Sequence, residues 1–171
     1  MHSATPIRAY VGLGSNAANA DEMLARAQRG IKQLDDIRLG TVSQIYATQP
    51  QDYTDQPWFL NQVAELLPGA SWRPLQLLEA LLALEKTLGR ERSQDPAKRY
   101  GPRVIDADLL LYGKEQSQNP RCLLPHPRLT LRAFVLVPLL DIAPQIRIGG
   151  ISASLWLSRL SCKVEGNKIF Q

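Results

Sequence analysis

The chain has 171 residues, 44% apolar and 21% charged. That length suits one domain with one core, and the composition excludes a disordered chain, a collagen-like repeat and a coiled coil. Twenty Lys+Arg against sixteen Asp+Glu leave a formal charge of +4, an excess that suits an anionic small molecule as well as nucleic acid.

Cys122 and Cys162 are the only cysteines. They lack metal-ligand spacing and read as reduced thiols of a cytoplasmic protein. Met1 to Pro6 has no basic stretch leading into an apolar one, so no signal peptide is visible. The most apolar run, Phe134 to Leu140, is interrupted by Pro138 and is far too short to span a membrane. We expect a soluble protein with no membrane contact, folded as one domain over residues 1–171.

Ile7 to Leu13 alternates and is rich in β-formers, which predicts a strand; Gly14-Ser15-Asn16 then reads as a turn. The spacing of Met23, Leu24, Ala27, Ile31 and Leu34 predicts an amphipathic helix over Asp21–Leu34. Thr41–Ala47 is a second expected strand and Gln49–Pro57 a polar loop. Trp58–Leu67 is a third strand, closed by Pro68-Gly69. Ser71 is the expected cap of a helix starting near Arg73-Pro74 and stopping at Gly89.

Arg90–Arg103 reads as a long basic loop and Val104–Tyr112 as a fourth strand. Leu123 to Pro127 is too proline-rich for regular structure. A helix over Arg132–Asp141 and one more short helix within Ile151–Gln171 complete the chain. The order β-α-β-β-α-β predicts an α+β fold, a ferredoxin-like split βαβ sheet with additional C-terminal helices.

The chemistry concentrates in Arg99-Tyr100-Gly101-Pro102-Arg103-Val104-Ile105-Asp106-Ala107-Asp108. On a strand, Asp106 and Asp108 share one face, ~7 Å apart at ~3.3 Å rise per residue, while Ile105, Ala107 and Leu109 take the other. Such a pair either holds hard cations or simply solubilises an edge strand. Arg90, Arg92, Lys98, Arg99 and Arg103 precede it. A basic segment feeding a two-carboxylate strand suits polyphosphate transfer, with acids on Mg²⁺ and guanidinium forks on phosphate. The same cluster also fits a solvated loop. Against a nucleic-acid patch, it carries no interleaved aromatics beyond Tyr100 and adjoins acids.

Gly12-Leu13-Gly14 lacks the full dinucleotide fingerprint and a P-loop lysine, so it reads as a tight strand-to-helix turn. Phe59 and Asn61 form another alternating pair, able to stack a flat heterocycle and bond its edge, or to pack the core and close a strand end. His126, between two prolines and flanked by Arg121, Arg128 and Arg132, is either anion-facing or an ordinary surface or core residue.

Together these segments resemble the 6-hydroxymethyl-7,8-dihydropterin pyrophosphokinases of folate biosynthesis, from Tyr10 to about Pro144. Residues 99–111 match the family signature most specifically. Thr48-x-Pro50, Asp55-Gln56-Pro57 with Phe59-Leu60-Asn61, Glu85 with Gly89-Arg90-x-Arg92, and Pro125-His126 with Arg132-x-Phe134 support it. Tyr100 stands where the signature has Trp, and the Gln49–Asp52 loop departs from the common pattern.

The resemblance implies transfer of pyrophosphate from ATP to the pterin's hydroxymethyl group, with release of AMP. By the same resemblance, Asp106 and Asp108 hold two Mg²⁺ and Arg90 and Arg103 serve turnover. Arg92, Tyr100, Arg121, His126 and Arg132 attend ATP. Thr48, Pro50, Phe59, Asn61 and Phe134 receive the pterin, with the basic segment and the Gln49–Pro57 loop as lids. No nucleic acid is an expected partner, and the chain is expected to act as a monomer. Because neighbouring carboxylates repel without a cation, loss of either Asp106 or Asp108 is expected to leave the fold standing.

Overall fold

The computed structural model describes residues 6–51, 54–91 and 103–171. Its elements in order are β1 (Ala9–Ser15), α1 (Ala20–Lys32), β2 (Ile37–Val42), β3 (Tyr46–Thr48), β4 (Phe59–Pro68), α2 (Pro74–Thr87) and β5 (Asp106–Tyr112). Then come β6 (Ser117–Asn119), β7 (Cys122–Leu124), α3 (Ala133–Ile142), β8 (Arg147–Ile148), β9 (Ile151–Ser152), α4 (Ala153–Ser158), β10 (Lys163–Glu165) and β11 (Lys168–Phe170).

The result is a mixed α+β fold around one main sheet, ordered β10-β11-β3-β4-β1-β5, with β2 also paired to β4. β1 lies between β4 and β5, antiparallel to both. Alternation along the strands gives the sheet two faces. On one, Ala9, Val11, Leu13, Ala64, Leu66, Ala107 and Leu109 are covered by Met23, Leu24, Ala27 and Ile31 of α1 and Leu77 and Leu81 of α2. On the other, Tyr10, Val63 and Leu110 meet Val135, Leu136 and Leu139 of α3. A side chain buried as fully as Leu136 contributes roughly 1.5–3 kcal/mol. This second face is only partly roofed, and the uncovered part forms the site.

Several expectations need correction. The second strand is two: β2 and β3 flank a break at Ser43–Ile45, where Ser43 Oγ accepts the Val63 amide at 2.9 Å and replaces a ladder bond. Leu123 and Leu124 are not irregular, because Cys122–Leu124 pairs with Ser117–Asn119. The tail holds the short helix α4 but also a hairpin, β10–β11, whose second strand joins the main sheet parallel to β3.

Helix α2 begins at Pro74 as expected. Its cap, however, is Arg73, whose N–H donates to Gln76 Oε1 at 3.0 Å, and not Ser71. Gly89, at φ +96°, ends it in a backbone conformation few other residues tolerate. No helix among the described residues is long and apolar enough to cross a membrane.

Candidate active site

Register builds the floor. Across β4, β1 and β5, Asn61, Gly14 and Asp106 form one row, and Val63, Gly12 and Asp108 the next. Gly12 and Gly14 are therefore not a turn: both lie inside β1, and their missing side chains leave an open trough between Asn61 and the carboxylates. Two strand spacings make that trough roughly 10 Å wide. A Cβ on Gly14 would sit 2.6 Å from Asn61 Oδ1, so only glycine lets the carboxamide lie over β1. Asn61 Nδ2 donates to Thr48 Oγ1 at 2.6 Å, which fixes the amide's orientation.

Two clefts open from this floor. The first, about 760 Å³, is lined by Thr48, Gln49, Pro50, Phe59, Asn61, Arg103, Asp106 and Asp108, with Arg132, Phe134 and Val135 of the α3 end as its roof. The second, about 750 Å³, runs between α2 and the β7 region, lined by Leu78, Leu82, Asp108, Arg121, Leu123, His126 and Pro127. Asp108 borders both.

The two strand acids differ sharply. Arg90 Nη1 donates to Asp106 Oδ1 and Arg103 Nη1 to Oδ2, the latter at 2.6 Å. Burial pushes the Asp106 pKa up, but the two guanidiniums outweigh it and the net shift is downward. Asp108 is paired less closely, with Arg132 Nη1 at 3.9 Å. Burial, then the charge of Asp106, raise its pKa to about 7. Removing Asp106 would take a carboxylate from two guanidiniums at once, so the two acids are not equivalent for stability.

Burial and two neighbouring arginines push His126 down to about 4. Its Nδ1 accepts the Arg128 amide at 3.2 Å, so Nε2 bears the proton and His126 is a neutral donor near pH 7. Arg132 stacks over Phe134, its guanidinium carbon 5.4 Å from the ring centre. Its buried Nε has no hydrogen-bond partner among the described residues.

Residues 10–144 match the family model for 7,8-dihydro-6-hydroxymethylpterin-pyrophosphokinase (HPPK). The chain belongs to the HPPK family. It is 43% identical over 153 residues to the 2-amino-4-hydroxy-6-hydroxymethyldihydropteridine pyrophosphokinase of Methylorubrum extorquens, covering 90% of this chain and 93% of that one. The protein of the same description from Pseudomonas aeruginosa is 43% identical over 141 residues, covering 82% and 83%. Among solved structures, a Plasmodium falciparum HPPK-DHPS triple mutant with pteroate aligns at TM-score 0.64 and 12% identity. That alignment covers 92% of this chain but 44% of the longer one, a likeness of fold alone.

Against this HPPK frame, Thr48, Pro50, Phe59, Asn61 and Phe134 all line the first cleft. Arg121 and His126 line the second, with Arg121 also paired to Glu79 of α2. Arg132 belongs to the first cleft, beside Asp108. Arg92 and Tyr100, with most of the basic loop, lie outside the described residues, as do Asp52 and Tyr53 of the other expected lid.

Two contributors escaped the sequence reading as parts of the site. Glu85, 2% exposed, accepts from Arg90 Nη1 at 2.7 Å and from the Ala107 amide at 2.8 Å, holding Arg90 against the acid strand. The signal was present: Leu77, Leu81 and Glu85 are spaced by four, so a carboxylate sits on the buried stripe of α2. Asn16 accepts the Arg103 amide at 2.7 Å and donates to Gln56 Oε1 at 2.9 Å. It thereby ties the entry to β5 to the loop before β4.

Proposed function

We propose that the chain binds 6-hydroxymethyl-7,8-dihydropterin in the first cleft and ATP from the second, and joins them where Asp108 borders both. In the reaction, the pyrophosphoryl group of ATP passes to the hydroxymethyl oxygen and AMP is released. The observation that carries this placement is the shared acid: one cleft presents two rings and a fixed carboxamide, the other arginine and histidine donors, and they meet at a carboxylate.

Phe59 and Phe134 take the faces of the heterocycle. Asn61, oriented by Thr48, reads its polar edge, and Pro50 borders it; each ring stack contributes about 1–3 kcal/mol on the scale for bases. Arg121 and neutral His126 donate to the nucleotide, joined by Arg92 and Tyr100 of the basic segment. Arg132, with an unmatched Nε–H, serves phosphate oxygens at the junction.

Asp106 and Asp108 fit Mg²⁺: both are hard oxygen donors, and Asp108 is held in the neighbourhood of a like charge that a dication relieves. Among the described residues no three His, Cys, Asp or Glu side chains cluster as a metal site, so phosphate oxygens are the natural completion of the shell. Two Mg²⁺ bound there would supply charge neutralisation to the polyphosphate. Arg90 and Arg103, fixed on Asp106, keep their positive charge directed at the same place. A loose transition state asks for positioning and charge more than for a strong base.

Consumption of ATP supports a cytoplasmic location, and the acids on the floor disfavour a nucleic-acid backbone. The placement of β4 between β1 and β3, with β5 at the other side of β1, supports reading the core as a ferredoxin-like split βαβ within a single domain.

Purified protein with ATP and Mg²⁺ is expected to form AMP only when the hydroxymethyl-dihydropterin is present. No AMP at any Mg²⁺ concentration overturns the reading. Asn61→Ala is expected to raise the pterin KM about a hundredfold or more, since it abandons a polar edge built to be matched, with the ATP KM changed less than threefold. Gly14→Ala, which displaces the same carboxamide, is expected to act in the same direction. Equal effects on both substrates contradict the assignment of Asn61.

A further inference from the structure

The family match ends at residue 144, yet the segment beyond it reaches back to the first cleft. β11 runs parallel to β3, with Lys168 opposite Ala47 and Ile169 opposite Thr48. Ile169 is buried against Tyr46, Ala133 and Val137, and the Phe170 ring meets Trp58 edge-on at 5.4 Å. This anchors Gln171 beside the first turn of α3.

Gln171 Oε1 accepts the Ala133 amide at 2.7 Å and Gln51 Nε2 at 3.1 Å, while its Nε2 donates to the Leu131 carbonyl at 2.9 Å. The first amides of a helix need partners from outside the helix. The N-cap of α3, Arg132, makes no side-chain cap, so Gln171 fills that role from the far end of the chain. One carboxamide thus joins the turn that carries Arg132 and Phe134 to the loop that carries Pro50 and Gln51. It does so from behind, since Gln171 is not among the residues lining the first cleft.

We propose that Gln171 is a positioning residue for the pterin half of the reaction, holding the roof at Phe134 in register with the wall at Pro50–Gln51. This rests on the pterin reading of the first cleft. The side chain is exposed and its loss removes no packing, so it acts on the cleft's shape more than on the fold.

Gln171→Ala is expected to raise the pterin KM about three- to tenfold, the factor that loss of one or two hydrogen bonds gives. Under the same conditions kcat and the ATP KM stay within twofold, and the melting temperature falls by about 2–4 °C, as loss of one helix cap gives. Gln171→Glu keeps the acceptor for Ala133 and Gln51 but sets an oxygen against the Leu131 carbonyl, and should restore only part of the lost affinity.

An unchanged pterin KM overturns the proposal, as does a parallel rise in both KM values. Amide exchange in the absence of substrates separates this from the function itself: the Ala133 amide should exchange faster in Gln171→Ala than in the parent. If the parent forms no AMP, the reading of the first cleft fails. If the Ala133 amide is equally protected in both proteins, the proposal fails.

Discussion

Asp106→Asn and Asp108→Asn are both expected to lower turnover by about a thousandfold, the scale seen when a preorganised charge contact at the reacting phosphate is removed, yet to move stability in opposite directions. Asp106 is held by Arg90 and Arg103, whose side chains are 13% and 25% exposed. Neutralising it leaves two part-buried cations short of a partner, at a cost of roughly 2–4 kcal/mol. Its pKa is depressed, so its contribution is present above its ordinary value and is lost as pH falls through the folded value.

Asp108 has the reverse sign. Its folded pKa, about 7, lies above the 3.8 of a free side chain. The folded state therefore holds this proton more tightly, and that stabilising contribution is complete below about 4 and lost as pH rises through 7. The full shift corresponds to roughly 4 kcal/mol. With 41% of the side chain exposed, solvent screening reduces this to about 1–2 kcal/mol. Metal-free Asp108→Asn should therefore melt above the parent at pH 8 and level with it at pH 5, in thermal scans with chelator. Equal melting at both pH values, or normal turnover, contradicts the asymmetry.

Glu85→Ala is expected to destabilise by about 3 kcal/mol and to cut kcat about 10- to 100-fold without contacting either substrate. The same Oε1 takes the Arg90 guanidinium and the Ala107 amide, so truncation strands a buried N–H and frees a cation from one of its two carboxylates. The kinetic part follows because outer partners of a metal or phosphate site hold its direct contacts in place, and losing one costs that range. Glu85→Gln keeps the acceptor and should recover most of the stability but less of the turnover. Urea titration with kcat on both variants decides it; a stability loss with unchanged kcat would leave Glu85 a purely structural residue.

The acid strand was legible because period-two alternation alone puts Asp106 and Asp108 opposite Ala107 and Leu109, and the structure keeps that division. Phe59 and Asn61 were legible for the same reason, as alternate positions of one strand, whereas Thr48 came only from the family resemblance. Gly12-Leu13-Gly14-Ser15-Asn16 misled because its composition is that of a turn. Pairing on both sides, to β4 and β5, overrides local propensity and keeps it extended to Ser15. The tail hairpin was missed for a different reason: its strands, Lys163–Glu165 and Lys168–Phe170, are three residues each, too short for alternation to stand out, and only Gly166-Asn167 between them signals the turn. The ties from Glu85 to Ala107, Asn16 to Arg103 and Gln171 to Gln51 span 22, 87 and 120 positions, and no local pattern names such partners, although the spacing of Leu77, Leu81 and Glu85 marks a buried carboxylate.

A crystal structure of the protein with a non-hydrolysable ATP analogue, Mg²⁺ and the hydroxymethyl-dihydropterin would read the whole arrangement at once. Expected is magnesium on the carboxylates of Asp106 and Asp108, with the pterin ring between Phe59 and Phe134 and its hydroxymethyl oxygen facing the β-phosphorus. Metal bound away from both acids, or a pterin outside that cleft, would contradict it.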